Sequence, residues 1–195
     1  MHSQIIMTRT EALEAYCTIL AKQLTEADIQ SIAVDWTQAG AITLDEAEKE
    51  LRSEGIEDPS PELIEWLASG DQCPSPTPSF MRPVLLSSLM KSHAQVQNSY
   101  IESELGKTIE GVKVEGEDAV GALCPCCGYY SLDAEDPGWD ICLVCFWENG
   151  GDGPNHMTLA EAQKNFATFG AMSESHLTHV DPHGPQKYRR SPDFT

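Results

Sequence analysis

The chain has 195 residues and carries 12 Lys+Arg against 31 Asp+Glu, a formal net charge of −19. That balance argues against a nucleic-acid binder, whose affinity comes from Lys and Arg neutralising phosphates, and equally against an anionic membrane surface as partner. A hydrophobic fraction of 41% is ordinary for a globular protein and rules out wholesale disorder.

The acidity is shared along the chain. Residues 1–70 hold 14 acids and 4 bases, and residues 101–160 hold 12 acids and 2 bases, so neither end monopolises it. Such a field keeps a protein soluble and draws a basic partner at an enhanced, salt-sensitive rate. No stretch approaches the roughly 18 consecutive apolar residues of a membrane span, and Met1 to Thr10 lacks the apolar core of a signal peptide. The expected location is the cytoplasm.

In chain order, Thr8 with Glu11 forms a capping box, and Leu13, Tyr16, Cys17, Leu20 and Leu24 then recur at helical spacing, which predicts a helix over about 9–24. Thr25 opens a second helix with Ile29, Ile32, Ala33 and Trp36 on one face, ending at Gly40. Thr43 with Glu46 opens a third through Ala47 and Leu51 to Gly55. Ser60-Pro61 starts a fourth, with Leu63, Ile64, Trp66 and Leu67 buried and Gly70 as its stop. Residues 1–70 therefore read as a helical bundle. Pro74, Pro76, Pro78 and Pro83 make 71–83 an extended linker and a domain boundary. Val84, Leu85, Leu89, His93 and Val96 continue at helical spacing to about Tyr100. Ile109, Val112 and Val114 alternate as in a strand or hairpin. Thr158 with Glu161 caps a last helix, with Leu159, Ala162, Phe166 and Phe169 inward and Gly170 as its stop. Residues 84–175 thus form a second domain, a helix followed by a cysteine-rich segment, and 176–195 a polar tail with little regular structure. The fold class expected is α+β, mainly α.

Seven cysteines are an odd number, and five of them, Cys124, Cys126, Cys127, Cys142 and Cys145, fall within 22 positions. That crowding points to metal rather than to a disulfide framework. Two C-x-x-C pairs, Cys124/Cys127 and Cys142/Cys145, are separated by 14 residues. In each short turn both thiolates face one centre about 2.3 Å away, and Gly128 just after the first pair can take the positive φ such a turn needs. Cys126 falls outside this register and reads as a bystander. Four thiolates fill a tetrahedron and leave no open position for water, so a zinc ion here is structural. Iron, as in rubredoxin-like sites, is the second choice and would imply electron transfer.

Other constellations are weaker. Residues 35–46 follow the frame of a calcium loop, but Ala39 stands where a side-chain oxygen is needed, so a turn between helices is expected instead. His176, His179 and His183 read as surface histidines. Cys17 belongs on an apolar helix face and Cys73 in the linker, each without a base. There is no Walker motif, G-x-S-x-G, H-E-x-x-H or Gly-rich dinucleotide turn, and no enzymatic activity is expected.

Cys124-Pro125-Cys126-Cys127-Gly128, Cys142-Leu143-Val144-Cys145-Phe146-Trp147-Glu148, Asn155 and the helix bearing Gln163, Asn165, Phe166, Phe169 and Gly170 resemble the cysteine-rich CPCC domain, a small bacterial zinc-ribbon-like family. The resemblance covers roughly residues 122–175, and the loop from Asn149 to Pro154 is shorter than is usual there. It implies an antitoxin-like role, because members are often encoded beside secreted or polymorphic toxins, where they look like immunity proteins. A toxin that cuts nucleic acid must present Lys and Arg to phosphates, and an acidic protein is its natural electrostatic partner. The expected function is thus an immunity protein that occludes a basic toxin, a nuclease (DNase) effector of a secretion system such as type VI. A rubredoxin-like electron carrier and a non-catalytic acidic adaptor are the alternatives. Candidate partner-binding residues are Glu115, Glu117, Asp118, Tyr129, Asp136, Trp139, Trp147 and Glu148, with Trp139, Trp147 or Tyr129 as the aromatic anchor.

Overall fold

The computed structural model describes residues 4–75 and 77–194; Met1–Ser3 and Pro76 of the expected linker lie outside the described residues. The architecture is α+β, mainly α, in two units: Leu13–His93, and residues up to Ala12 together with those from Ala94 onward. Among the described residues no helix is long and apolar enough to cross a membrane.

The helix starts are set by side-chain caps. Helix α1 (Arg9–Ala21) begins where Thr8 N and Oγ both donate to Glu11 Oε2, at 2.8 and 2.7 Å. Thr25 and Thr43 accept from the backbone N–H three residues on and open α2 (Glu26–Thr37) and α3 (Leu44–Ser53), each with a reciprocal carboxylate from Asp28 or Glu46. Ser60 caps α4 (Pro61–Ser69), whose proline sits where its missing N–H costs nothing. Ala33, Ala47, Leu51, Leu63, Trp66 and Leu67 form the core, with Ile29, Ile32, Trp36 and Ile64 packed against it. Each fully buried leucine contributes about 1.5–3 kcal/mol relative to exposure.

Gly70 ends α4 in the left-handed region at φ +68°, and a Cβ there would lie 2.6 Å from the carbonyl carbon of Gly40. The glycine therefore answers two demands, the helix stop and the close approach of the α2–α3 turn, where Ile42 N donates to Ala68 O at 2.9 Å.

Residues 71–83 depart from the expected linker. Cys73 and Met81 belong to the core of this unit, Gln30 Nε2 donates to Cys73 O at 3.0 Å, and Ser79–Met81 forms a 3-10 turn that runs into α5 (Arg82–Ser92). Proline spacing predicts an extended chain correctly in part, but the apolar side chains between the prolines carry the segment onto the bundle, and Pro83 fits the first turn of α5. The division of the chain consequently falls after His93 rather than at 71–83.

The helix expected from 84 to 100 is broken. After α5 the chain turns, and α6 (Asn98–Leu105) begins anew from an extended Gln97. The carbonyls released there find donors elsewhere: Arg9 donates to Ala94 O at 2.5 Å and Val96 O at 3.0 Å and bonds Asn98 Oδ1, while Gln97 N reaches Lys187 O at 2.8 Å. Strand β1 (Ile5–Thr8) pairs in parallel with β2 (Val112–Glu115), in register from Ile5 opposite Val112 to Thr8 opposite Glu115. Val112 and Val114 are buried and their neighbours exposed, the period-two pattern read from the sequence. Glu102 of α6 accepts from Val114 N at 3.0 Å, so the helix secures one edge of this small sheet.

The expected polar tail is folded. Helix α9 (Gly184–Lys187) leads into a buried Tyr188, Tyr130 N donates to Arg189 O at 2.9 Å, and Ser191 N donates to Gly128 O at 2.8 Å. A few apolar anchors in a polar sequence, Tyr188 and Phe194, are enough to dock it, and composition alone does not reveal them. Lys187 Nζ lies 2.6 Å from Asp181 Oδ2 with both side chains largely covered. Burial raises the Asp181 pKa, but the hydrogen bonds from Lys187 and His183 N and the lysine charge outweigh it, so the folded carboxyl sits below its ordinary value. A depressed folded pKa contributes stability that is present above the unfolded value, about 3.9, and is lost as pH falls through the folded one. Thermal unfolding of the wild type between about pH 5 and 2 should therefore lose more stability than that of Asp181→Asn; parallel curves would show the pair to be uncoupled from folding.

Candidate metal centre

Two backbone turns of the same design present the four cysteines. In the first, Gly128 N donates to Cys124 O at 3.0 Å and Cys124 N to Tyr129 O at 2.8 Å; in the second, Phe146 N donates to Cys142 O at 2.7 Å and Cys142 N to Trp147 O at 2.9 Å. The residue after each second cysteine has positive φ, +75° at Gly128 and +67° at Phe146. Glycine accepts that conformation freely, whereas phenylalanine does so at a cost of about 1–2 kcal/mol. The Phe146 ring is stacked on His176 at 4.9 Å and lies 5.1 Å from His179, contacts that help hold it there. These histidines, read from the sequence as surface groups, thus support the second turn.

Short antiparallel bridges, Ala122 with Leu132 and Ile141 with Glu148, bring the turns together. The Sγ atoms of Cys124, Cys127, Cys142 and Cys145 all lie within 4.8 Å of one another, and all four side chains are fully buried. Cys124 Sγ and Cys145 Sγ lie 3.6 Å apart, and Cys127 Sγ and Cys142 Sγ 3.5 Å. A tetrahedral ion with metal–sulfur bonds of about 2.3 Å needs sulfurs about 3.8 Å apart, so the donors fit. Cys126 is equally buried but outside the four-sulfur group, as its register predicts. Two observations bear on thiol chemistry elsewhere: burial pushes the Cys17 thiol up to about 12, and burial, then the nearby Glu26 charge, raises Cys73. Neither is a ready nucleophile.

Surrounding groups lock the turns. Gln163 of α8 (Leu159–Phe169) donates from Nε2 to Pro125 O at 2.9 Å, and Met172 N donates to Cys145 O at 2.7 Å. Buried Asn155, in the short helix α7 (Asp152–Asn155), accepts from Glu148 N at 2.9 Å and donates to Glu148 O and Gly151 O at 2.7 and 2.6 Å. Sequence reasoning misses Ser131, whose Oγ is 3.0 Å from Cys142 Sγ; an isolated serine four positions after a cysteine motif gives no pattern to find.

Residues 122–187 match the family described as Cysteine-rich CPCC. The match extends past the 122–175 span read from motifs and takes in α9, the part of the tail that docks on the domain. No curated protein and no solved structure matches the chain. The CPCC domain therefore offers a closed four-thiolate site suited to a metal such as zinc, with all four positions of the tetrahedron taken by protein.

The expected partner-binding residues separate into groups. Trp147 is 1% exposed and belongs to the interior, between half-buried Phe146 and Glu148, so its ring is not available as an interface anchor. Tyr129 is half-buried between Phe166 and Arg190, on a groove of about 590 Å³ that Cys126 and Phe194 also line. Phe169, expected inward on α8, is 40% exposed. Glu115, Glu117 and Asp118 are exposed at and just beyond the end of β2, where Asp118 accepts from Asn98 N at 2.5 Å and faces Arg9 at 3.9 Å. Glu148 is half-buried beside the second turn.

Asp136 and Trp139 share one loop, and Trp139 is 73% exposed. That loop, 133–140, contains Asp133, Glu135, Asp136 and Asp140 and no basic residue. It is ordered by its own carboxylates: Asp133 Oδ1 accepts from Glu135 N and Asp136 N at 2.8 and 2.9 Å, and Asp140 Oδ2 accepts from Asp133 N at 2.6 Å. Asn149 Nδ2 donates to Pro137 O at 2.7 Å, and the Trp139 ring lies so close over Gly150 that a Cβ there would be 2.6 Å from it.

Proposed function

We propose that the chain is an immunity protein: it binds a basic protein toxin, a nuclease (DNase) effector of a secretion system, and occludes its active site from the cytoplasm of the producing cell, with a structural zinc ion bracing the CPCC domain. The observation that carries this reading is the 133–140 loop, a preformed acidic surface that bears one large, exposed aromatic, Trp139. Binding energy in protein interfaces concentrates on such anchors, and an ordered loop loses little entropy on docking. The acidic side chains take the places that substrate phosphates would occupy on the toxin, and the net charge of −19 speeds the encounter. A closed thiolate site supplies no open metal position for chemistry, which suits an inhibitor.

The reading is tested by expressing each gene neighbouring this one with and without the chain, then purifying the chain by pull-down and measuring its metal. A neighbour that is toxic alone, harmless with the chain and retained with it at about one zinc per chain supports it. Toxicity unrelieved by the chain from any neighbour removes it. The full burial of all four thiols favours one rival, the rubredoxin-like electron carrier, since a shielded iron–thiolate site is stable to solvent. Iron would colour the purified protein and zinc would not.

A further inference from the structure

The four thiolates are not equivalent, and the difference lies in a residue outside both C-x-x-C turns. A divalent ion held by four thiolates carries a net charge of −2, and here every ligand is fully buried, so that charge is kept from water. Buried charge is tolerated where hydrogen-bond donors reach it. Ser131 is itself buried, 6% exposed, and its Oγ lies 3.0 Å from Cys142 Sγ. It is pinned from both sides in the chain: Tyr130 N donates to Arg189 O at 2.9 Å, and Leu132 exchanges backbone bonds with Ala122 at 3.0 and 3.3 Å. The Ser131 backbone is therefore held beside the Cys142 turn, and only rotation about its own Cα–Cβ bond could take the hydroxyl away from the sulfur.

We infer that Ser131 is a positioning residue of the metal centre, its hydroxyl donating to the Cys142 thiolate of the loaded site. A metal-bound thiolate has lone pairs to offer and no proton, so the direction of the bond is set. Its effect is to draw electron density from one sulfur, to compensate part of the buried negative charge and to hold the Cys142 side chain in its ligating rotamer. Partners of this kind around metal ligands are worth about 10- to 100-fold in affinity. Cys124, Cys127 and Cys145 bond the same metal without a side-chain hydroxyl of this kind among the described contacts, so Cys142 becomes the least nucleophilic sulfur of the four.

This inference rests on the metal reading of the four cysteines, and cobalt separates the two. The full chain and its Ser131→Ala and Ser131→Thr variants are titrated with Co2+, and zinc is then used to displace it. The alanine variant should bind both metals about 10- to 100-fold more weakly, and its sulfur-to-cobalt charge-transfer band should move to lower energy, because the Cys142 lone pairs lose their hydrogen bond. The threonine variant, which keeps the hydroxyl, should restore both. An unmoved band with unchanged affinity in Ser131→Ala overturns the role of Ser131 while leaving the metal site standing. Equal losses in the alanine and threonine variants also overturn it, since they show packing and not the hydroxyl to matter. A wild-type chain that takes up no cobalt and no zinc removes the metal reading and this inference together.

Discussion

Substituting Cys142 or Cys145 by serine should abolish stoichiometric metal uptake and melt the CPCC domain, and prolonged chelation of the wild type should do the same. The physical reason is the size of that domain's other resources. Its regular structure around the site is limited to isolated bridges, the short helices α7 and α9, a 3-10 turn at Glu174–His176 and α8, while the four sulfurs converge from two turns at residues 124–127 and 142–145. Four thiolates within 4.8 Å of one another repel unless a cation lies among them. Structural zinc contributes roughly 10–16 kcal/mol of apparent binding free energy in small metal-folded peptides, more than most whole domains possess. Metal analysis together with hydrogen exchange at Leu132 and Trp147, both fully or nearly fully buried, checks the result. Retained protection at those amides in the serine variants would show that the domain folds without its ion. Cys126→Ser, by contrast, should keep the metal.

Replacing Trp139 by alanine should weaken binding to the proposed toxin by about 30- to 1,000-fold, or 2–4 kcal/mol, chiefly through faster dissociation. The same change should barely affect folding, because the ring is 73% exposed and the loop beneath it is held by carboxylate and amide hydrogen bonds that do not involve the indole. Glu135→Lys should act differently, slowing association and flattening its dependence on salt, since a charge at the rim governs encounter rather than residence. Surface plasmon resonance at two ionic strengths separates the two effects. If Trp139→Ala dissociates as slowly as the wild type, the 133–140 loop is not the contact surface, even for a toxin that the chain does neutralise.

Short-range information in the sequence determined a large part of this protein. The caps at Thr8, Thr25, Thr43, Ser60 and Thr158 and the stops at Gly70 and Gly170 act within a few residues of themselves, so their consequences can be read without knowing what packs where. The same holds for the metal ligands: a two-residue spacer within each pair forces both thiols to one side of a turn, and the fold had only to join two such turns. Tertiary structure alone decided the rest. It broke the helix expected through 84–100, because Arg9, nearly ninety positions away in sequence, supplies donors for the carbonyls of Ala94 and Val96. It drew 71–83 onto the bundle through Cys73 and Met81, folded the C-terminal segment through Tyr188, and sent Trp147 inward while leaving Trp139 exposed. Two tryptophans eight positions apart have the same composition and opposite fates, because burial is settled by the partners that distant chain segments bring. Ser131 belongs with them: its role comes from the Ala122–Leu132 bridge and the Cys142 turn meeting in space, and no spacing rule connects a serine to a sulfur 3.0 Å away.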